Sequence, residues 1–261
     1  MTDASTTELP TGIGSLQRPV GWVMKPLFRF LWKFDVQGLN NLPSSGGAVI
    51  CANHLSAIDS FVVPAVLPRP IMYVGKSEYL DDWKTAMLFP KLGMIPIDRR
   101  GGDHAAAALD VARTVLETGG LFGIYPEGTR SRSGRLHRGH TGAARLAIET
   151  GAPIVPVGLV GTVGIQPPDQ TMPNLFRRAS IRFGSPIDVT RYRRRIGDRV
   201  LYRELIDEVM FEIAALSGQE YDDTYAGSTG HAATSTEPIA EPTIARRSSA
   251  EVLRTRPLVA A

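Results

Sequence analysis

The heptapeptide NHLSAID, residues 53–59, holds a histidine and an aspartate, His54 and Asp59, directly after the apolar run GAVICA. A carboxylate beside an imidazole fixes its tautomer and stabilises the imidazolium, so the pair is typical of a general base. The alternative is structural, because Ser56 and Asp59 have the S-x-x-D spacing of a helix capping box with Ser56 as N-cap. Side chains lean toward the helix N-terminus, so a capping Asp59 would also point back toward His54. The capping box and the catalytic pair therefore both predict that the Asp59 side chain points toward His54.

A second polar segment is YPEGTRSRSG, residues 125–134, which follows the predicted strand LFGIY. A glycine-containing turn after a strand can aim backbone N–H groups at an anion, and arginines add bidentate contacts to phosphate. Arg130, Arg132 and Arg135 supply three guanidinium groups. The segment indicates an anion-binding loop, and the alternative is a solvated polar loop.

Two further segments give weaker signals. GMIPIDRR, residues 93–100, ends in arginines, of which Arg99 could bind phosphate or form a surface pair with Asp98. IVPVGLV, residues 154–160, reads as a strand interrupted by Pro156. Because proline lacks a ladder donor, Pro156 predicts an edge strand or a bulge, which can also shape the wall of a site.

Short apolar runs alternate with helical patterns, which predicts an α/β fold with a mostly parallel or mixed central sheet flanked by helices. The order of the strands does not follow from the sequence. The predicted strands lie at 47–53, 71–74, 121–125, 152–160 and 179–184, and the predicted helices at 103–117, 141–150 and 198–216.

The segment Arg18–Phe34, RPVGWVMKPLFRFLWKF, combines aromatic and aliphatic residues with a basic stripe of Lys25, Arg29 and Lys33. Pro26 suits a first helical turn, so the helix is expected to begin near Lys25. The pattern fits an amphipathic helix on a membrane surface or a helix packed on the core. The predicted divisions are a disordered N-terminus (1–14), this membrane-associating segment (15–40), an α/β domain (41–216) and a disordered tail (217–261).

Composition limits the classes of function. The single cysteine, Cys51, excludes a disulfide within one chain and favours a reducing compartment. The N-terminus has no apolar core typical of a secretory signal, and no run reads as a transmembrane span. The formal charge of +3 favours an anionic partner such as phosphate or a lipid headgroup. The histidines and carboxylates show no metal-ligand spacing.

The four segments, in this order, resemble the motif blocks of the glycerophospholipid acyltransferase family, particularly the 1-acylglycerol-3-phosphate O-acyltransferases. NHLSAID resembles its NHxxxxD block and YPEGTRS its third block nearly letter for letter. GMIPIDRR and IVPVGL resemble the second and fourth blocks. Asp98 and Thr129 favour the lysophosphatidate type over the glycerol-3-phosphate type.

The resemblance implies that His54 is the base and Asp59 its partner. It implies that the acceptor's phosphate and glycerol are bound by Arg99, Glu127, Gly128, Thr129 and Arg130, with Pro156 on the acyl-donor side. The co-substrate would be acyl-CoA or an acyl carrier protein, with no bound cofactor, no metal and no nucleic acid. The family's N-terminal helices match Arg18–Phe34, which implies a peripheral protein on the cytoplasmic side of the cell membrane.

Two other readings remain open at this point. One is a hydrolase with Cys51 or Ser56 as nucleophile, although no G-x-S-x-G elbow is present in the sequence. The other is a non-catalytic peripheral lipid-binding protein, which would have no need for a histidine beside an aspartate.

Overall fold

A seven-stranded sheet forms the centre of the molecule in a computed structural model, which describes residues 14, 16–76, 90–97 and 102–227. The strand order is β1-β8-β7-β2-β5-β3-β4, and β6 and β9 form a separate pair. The strands are β1 (Lys33–Gln37), β2 (Ala48–Ala52), β3 (Ile71–Lys76), β4 (Met94–Ile97), β5 (Leu121–Ile124), β6 (Leu136–His137), β7 (Ile154–Val160), β8 (Arg178–Phe183) and β9 (Tyr221–Asp222).

Helices cover both faces of this sheet. They are α1 (Gln17–Leu31), α2 (Asp59–Val66), α3 (Gly102–Glu117), α4 (Gly142–Thr150), α5 (Thr162–Ile165) and α6 (Arg199–Ser217), with 3₁₀ turns at Leu39–Asn41, Pro90–Leu92 and Thr190–Arg195. One apolar cluster lies under α3, α4 and α6, and a second lies under α1 and α2. The residues of β2 are all buried because both faces of the strand are covered.

The sheet is mixed, as the alternating pattern predicted. Strands β7, β2, β5, β3 and β4 are parallel, β8 runs antiparallel to β7, and β1 runs parallel to β8. The five strands read from apolar runs are confirmed, and the sequence reading missed β1 and β4 of this sheet and the separate pair β6 and β9. The predicted α/β fold class is therefore confirmed.

The carboxyl ends of the parallel strands share one edge of the sheet, here called the catalytic edge. His54 follows β2 at this edge, and Glu127 follows β5. Because β2 and β5 are neighbours, the two motif loops must lie side by side.

Helix α1 differs from its prediction in where it begins. It starts at Gln17 rather than near Lys25, and Pro26 lies inside it on the exposed side. The side-chain amide of Gln17 donates to the carbonyls of Ile71 and Leu92 and so fastens the first turn to β3. This tertiary anchor outweighs the helix-breaking tendency of an interior proline.

Two predicted boundaries are also corrected. The segment 15–40 ends in strand β1, whose alternating exposed and half-buried residues follow a two-residue period. The tail predicted to be disordered from 217 is ordered as far as 227, because β9 pairs with β6 and Glu220 O accepts from Leu136 N. The rest of the predicted tail, and residues 1–13 of the predicted N-terminal segment, lie outside the described residues.

Pro156 is not at an edge, because β7 lies between β2 and β8. It pairs with Cys51 of β2, and its carbonyl accepts from Gly184 N just beyond the end of β8. The antiparallel ladder begins one residue later, at Val157 opposite Phe183. Proline lacks its backbone N–H at a point beyond the end of β8, and an inner strand therefore tolerates it.

Candidate active site

His54 and Asp59 meet across the turn between β2 and α2. His54 Nδ1 lies 3.0 Å from Asp59 Oδ2. Asp59 is fully buried, whereas the His54 side chain keeps 16% of its surface exposed. An Nδ1–H donated to the carboxylate leaves Nε2 as the free acceptor of the ring. The arrangement can therefore hold an imidazole ready to accept a proton.

The carboxylate of Asp59 also organises the turn itself. Its Oδ2 accepts from the backbone N–H groups of Leu55 and Ser56, both at 2.8 Å. The Ser56 hydroxyl donates to Gln166 O and accepts only a long bond, 3.4 Å, from Ile58 N. Only the acidic half of the predicted capping box is thus well formed, and Ser56 is not the N-cap. The prediction that one carboxylate both supports the turn and contacts the histidine is confirmed.

The loop after β5 holds the backbone of His54 on both sides. His54 N donates to Glu127 Oε1 at 3.1 Å, and His54 O accepts from Ser131 N at 2.8 Å. On the side of β7, the buried Asn53 amide accepts from Leu159 N and donates to Leu159 O. These bonds fix the histidine from two neighbouring strands.

A column of stacked rings supports the imidazole. His54 lies on Tyr125 with ring centroids 3.9 Å apart and planes 11° apart, and Tyr125 lies on Tyr73 at 5.8 Å. Gly123 leaves room for this column, since a Cβ atom there would lie 2.1 Å from the Tyr73 ring. Burial raises the pKa of the Tyr125 phenol, which stays protonated. The stack restricts the imidazole to one plane.

Glu127 joins the two motif loops. It is 1% exposed, and its second oxygen accepts from His137 N at 2.9 Å. Burial raises the pKa of Glu127 to about 7, although the two backbone N–H groups oppose this by stabilising the carboxylate. Both oxygens accept backbone hydrogen bonds, so Glu127 holds the two motif loops together, and the acceptor contact that the resemblance implies stays a prediction.

The raised pKa of Glu127 predicts a pH-dependent stability. A carboxyl that binds protons more tightly when folded stabilises the protein fully below its unfolded pKa of 4.5, and this is lost as pH rises through about 7. Between pH 5 and 8 we expect wild type to lose on the order of 2 kcal/mol relative to Glu127→Gln. Urea unfolding of both proteins across this range measures the difference, and parallel pH profiles would contradict it.

Among the loop arginines, Arg130 stands apart. Arg132 pairs with Asp169 at 3.1 Å and Arg135 with Glu220 at 2.8 Å. Arg130 is exposed and has no acidic partner among the residues that the structure describes. It directly precedes Ser131, whose N–H holds His54 O. Of the three loop arginines, Arg130 is thus the one without a described acidic partner, and it lies next to the residue that binds the backbone of His54.

The other predicted contact residues are placed differently. Gly128 has a φ of +73°, and its N–H closes the turn on Tyr125 O at 3.0 Å, while Thr129 is exposed. A Cβ atom at Gly128 would lie 3.1 Å from the His140 ring, so a side chain there would have to displace that ring while keeping a left-handed backbone. Pro156 is buried inside β7, away from the loops. Arg99 lies outside the described residues.

Neither alternative nucleophile is placed to react. Cys51 is fully buried and burial raises the pKa of its thiol, so it carries no thiolate. Ser56 is equally buried, with its hydroxyl bonded to a carbonyl. In the described ranges no three His, Cys, Asp or Glu side chains cluster as metal ligands would.

Sequence reasoning assigned no role to Asn53, Tyr125 or Gln219. Asn53 donates to Gln219 Oε1 at 2.6 Å, and Gln219 donates to Gly134 O, so the residues after α6 brace both loops. A polar residue directly after a fully apolar strand was the available signal for Asn53. Nothing in the sequence indicates the contact with Gln219, which follows from the chain returning over the loop.

Comparisons with known proteins bear on the family of the chain. Residues 33–160 match the family model described as Acyltransferase. The chain is 31% identical over 147 residues to the 1-acyl-sn-glycerol-3-phosphate acyltransferase BAT2, chloroplastic, of Brassica napus, covering 56% of this chain and 42% of the relative. It is 32% identical over 130 residues to a 1-acyl-sn-glycerol-3-phosphate acyltransferase of Borreliella burgdorferi, covering 50% and 52%. The chain thus matches about half the length of these relatives.

A solved structure shares the fold. The crystal structure of the 1-acyl-sn-glycerophosphate (LPA) acyltransferase PlsC from Thermotoga maritima aligns with a TM-score of 0.58 at 21% identity, over 77% of this chain and 79% of that one. The matched stretch 33–160 runs from β1 to β7 and contains both motif loops. The domain containing His54, Asp59 and the loop after β5 therefore belongs to the acyltransferase family.

Proposed function

We propose that this protein transfers a fatty acyl group from an acyl thioester to the free hydroxyl of 1-acylglycerol 3-phosphate or a similar lysophospholipid, in phospholipid biosynthesis. The observation that carries the proposal is the His54–Asp59 pair, 3.0 Å apart at the catalytic edge, with no described hydrogen-bonding partner on the second ring nitrogen. The names of the relatives from Brassica napus and Borreliella burgdorferi support the same reaction.

In the proposed reaction His54 Nε2 takes the proton of the acceptor hydroxyl as its oxygen attacks the thioester carbon. The tetrahedral intermediate then collapses, the carbon–sulfur bond breaks, and the thiolate takes the proton from the imidazolium. Asp59 stabilises that imidazolium and keeps the proton of Nδ1 in place. General-base help of this kind is worth roughly a hundredfold to ten-thousandfold in rate.

The donor is proposed to be acyl-CoA, with an acyl carrier protein as the other carrier of a thioester. Both present the same reacting atoms, so the His54–Asp59 geometry serves either. Pro156 is buried within β7. Any effect of Pro156 on the donor side would therefore pass through strand β7 rather than through direct contact.

The acceptor phosphate is proposed to bind at Arg130, with Arg99 and Thr129 as further contacts. A guanidinium without an acidic neighbour is available for bidentate bonding to phosphate. We expect Arg130→Ala to raise KM for lysophosphatidate about tenfold to a hundredfold, since a charge-assisted bond is worth roughly 1.5–3 kcal/mol. Arg132→Ala, which removes a guanidinium already paired with Asp169, is the matched control. Equal effects of the two changes on KM would contradict this role.

The acceptor is a membrane lipid, and α1 is proposed to seat the protein on the cytoplasmic face of the membrane. Trp22, Val23, Leu27 and Phe30 form an exposed apolar face on α1, with Trp22 86% and Phe30 74% exposed. Lys25 donates to Leu67 O at the end of α2 and so holds the helix with this face outward. None of the described helices is long and apolar enough to cross a bilayer. An interfacial position on the membrane accounts for the exposed face.

The test is thiol release from palmitoyl-CoA with and without 1-acylglycerol 3-phosphate. Release that requires the acceptor, with the diacyl product identified by mass spectrometry, supports the transferase. Release of equal size without any acceptor overturns it in favour of a hydrolase. Vesicle binding with no release for either donor, palmitoyl-CoA or a palmitoylated carrier protein, overturns it in favour of a lipid-binding protein.

A further inference from the structure

We propose that residues 166–177, the loop joining α5 to β8, form a second membrane-contacting element that lies beside α1 on an anionic bilayer. This inference rests on the proposed function in one respect, the membrane-facing position of α1. It adds a separate segment, here called the 166–177 loop, to the membrane surface.

The 166–177 loop exposes large apolar side chains. Met172 is 78% exposed, Leu175 50% and Phe176 69%. Three such side chains in one short loop are a clustered patch, and clustered exposed apolar residues mark an interaction surface. Phe176 also has a φ of +58°, a left-handed backbone that bulky residues rarely adopt. The backbone thus holds the Phe176 ring on the outside of the loop, where it is 69% exposed.

The loop is fastened to α1 rather than free to collapse onto the core. Phe176 N donates to Leu31 O at 2.7 Å, and Trp32 Nε1 donates to Asn174 O at 2.7 Å. The rings of Phe30 and Phe176 meet edge to face with centroids 6.5 Å apart. Phe30 belongs to the exposed apolar face of α1, so the loop extends that face without a break.

Basic side chains adjoin the surface that α1 and the 166–177 loop form together. Their charge favours an anionic lipid as its partner. These side chains are all exposed and have no ion pair in the described part of the chain: Arg29, Lys33, Arg177 and Arg178. Apolar residues rimmed by arginine and lysine are the composition of an interfacial element. Each basic residue near an anionic surface adds to the attraction.

The loop also lies at the catalytic edge. Ser180 of β8 pairs with Val160 at the end of β7, and Arg178 pairs with Lys33 at the start of β1. The start of β8 therefore lies at the edge where β7 and β2 end. Ser56 Oγ, two residues from His54, donates to Gln166 O at 2.6 Å. A bilayer touching the loop and α1 would thus hold its lysophospholipids next to the catalytic histidine.

The experiment is flotation of the full chain with vesicles of pure phosphatidylcholine and of phosphatidylcholine mixed with phosphatidylglycerol. The test variant is Met172→Ser with Phe176→Asn, because asparagine tolerates a positive φ and should preserve the fold. The control is Phe211→Ser, which removes a 72% exposed ring from α6, on the other face of the sheet. A Trp22→Ser, Val23→Ser variant reports on α1 alone, because it leaves the Phe30–Phe176 contact in place.

We expect wild type to bind the mixed vesicles in preference to the neutral ones. The loop variant should bind them at least about tenfold more weakly, since each buried apolar side chain contributes that order of affinity. The control should match wild type. Loop and control variants that bind equally, with the α1 variant weakened, would overturn the loop's role and leave that of α1 standing. Equal binding of wild type to neutral and mixed vesicles would overturn the anionic partner.

A second measurement separates this inference from the proposed reaction. An acceptor with a short acyl chain dissolves in water and needs no bilayer, so the loop variant should acylate it as fast as wild type does. Slower turnover of the loop variant on this soluble acceptor would show a defect in the site and overturn a purely membrane-contacting role. If no variant transfers acyl groups at all, the reaction is wrong and flotation still decides whether the loop contacts lipid.

Discussion

His54→Ala should fold and bind vesicles like wild type, and should lose on the order of 10³- to 10⁴-fold in kcat for acyl transfer. The reason is that no other described group is placed to accept the proton. Both neighbouring carboxylates already accept backbone hydrogen bonds. Asp59 accepts from Leu55 N and Ser56 N, and Glu127 accepts from two further N–H groups. Loss of a general base alone accounts for up to about 10⁴ in rate.

The measurement is the rate of acceptor-dependent thiol release at saturating substrates. Circular dichroism and urea unfolding establish that the variant is folded, because the lost imidazole is partly exposed and its removal leaves a gap over only one face of Tyr125. Retained flotation with vesicles establishes that the proposed membrane-contacting surface of the protein is intact. A kcat within tenfold of wild type would exclude His54 as the base.

Asp59→Asn should lower kcat by roughly 10²- to 10⁴-fold with little loss of stability. The asparagine carbonyl can take the place of Oδ2 and accept from Leu55 N, Ser56 N and the imidazole, so the turn persists. The negative charge that stabilises the imidazolium is gone, and this loss is severe in histidine–aspartate pairs. The amide NH₂ would take the place of Oδ1, which is buried with no hydrogen-bond partner among the described groups.

Asp59→Ala provides the contrast. It removes the acceptor of two backbone donors inside the protein, and each buried donor left unpaired costs roughly 1–3 kcal/mol. We expect this variant to lose both activity and several kcal/mol of unfolding free energy, whereas asparagine loses activity alone. Equal destabilisation by the two substitutions would assign Asp59 to the turn only.

The sequence was informative where chemistry and local spacing coincide. Apolar runs predicted β2, β5 and β7 because strands buried on both faces need no alternation. The S-x-x-D spacing predicted that Asp59 points back at His54, since that contact spans only one turn. Helix α6 was predicted almost to the residue from its apolar spacing, and its ends are fixed by Asp198, which accepts from Val200 N and Leu201 N, and by Gly218.

Features set by distant parts of the chain could not be predicted in this way. Strand β1 was read as the end of an amphipathic helix, because its half-buried character arises only when β8 pairs with it. Pro156 predicted an edge strand or a bulge, since the sequence does not tell where β8 ends. The bond from His54 N to Glu127 could not be predicted, because nothing in the segment of Glu127 indicates a contact with the backbone that follows another strand.

The column of rings under His54 makes the imidazole sensitive to a residue with no functional group. Gly123 lies in β5, paired with Tyr73 of β3, and leaves the space in which that ring lies. A single methyl group there would displace Tyr73, then Tyr125, then the imidazole, whose planes lie nearly parallel. Steric pressure would therefore pass through two phenol rings to the imidazole that is proposed as the base. Substitution of Gly123 is thus a means by which the proposed proton abstraction could be altered while both motif loops keep their sequences.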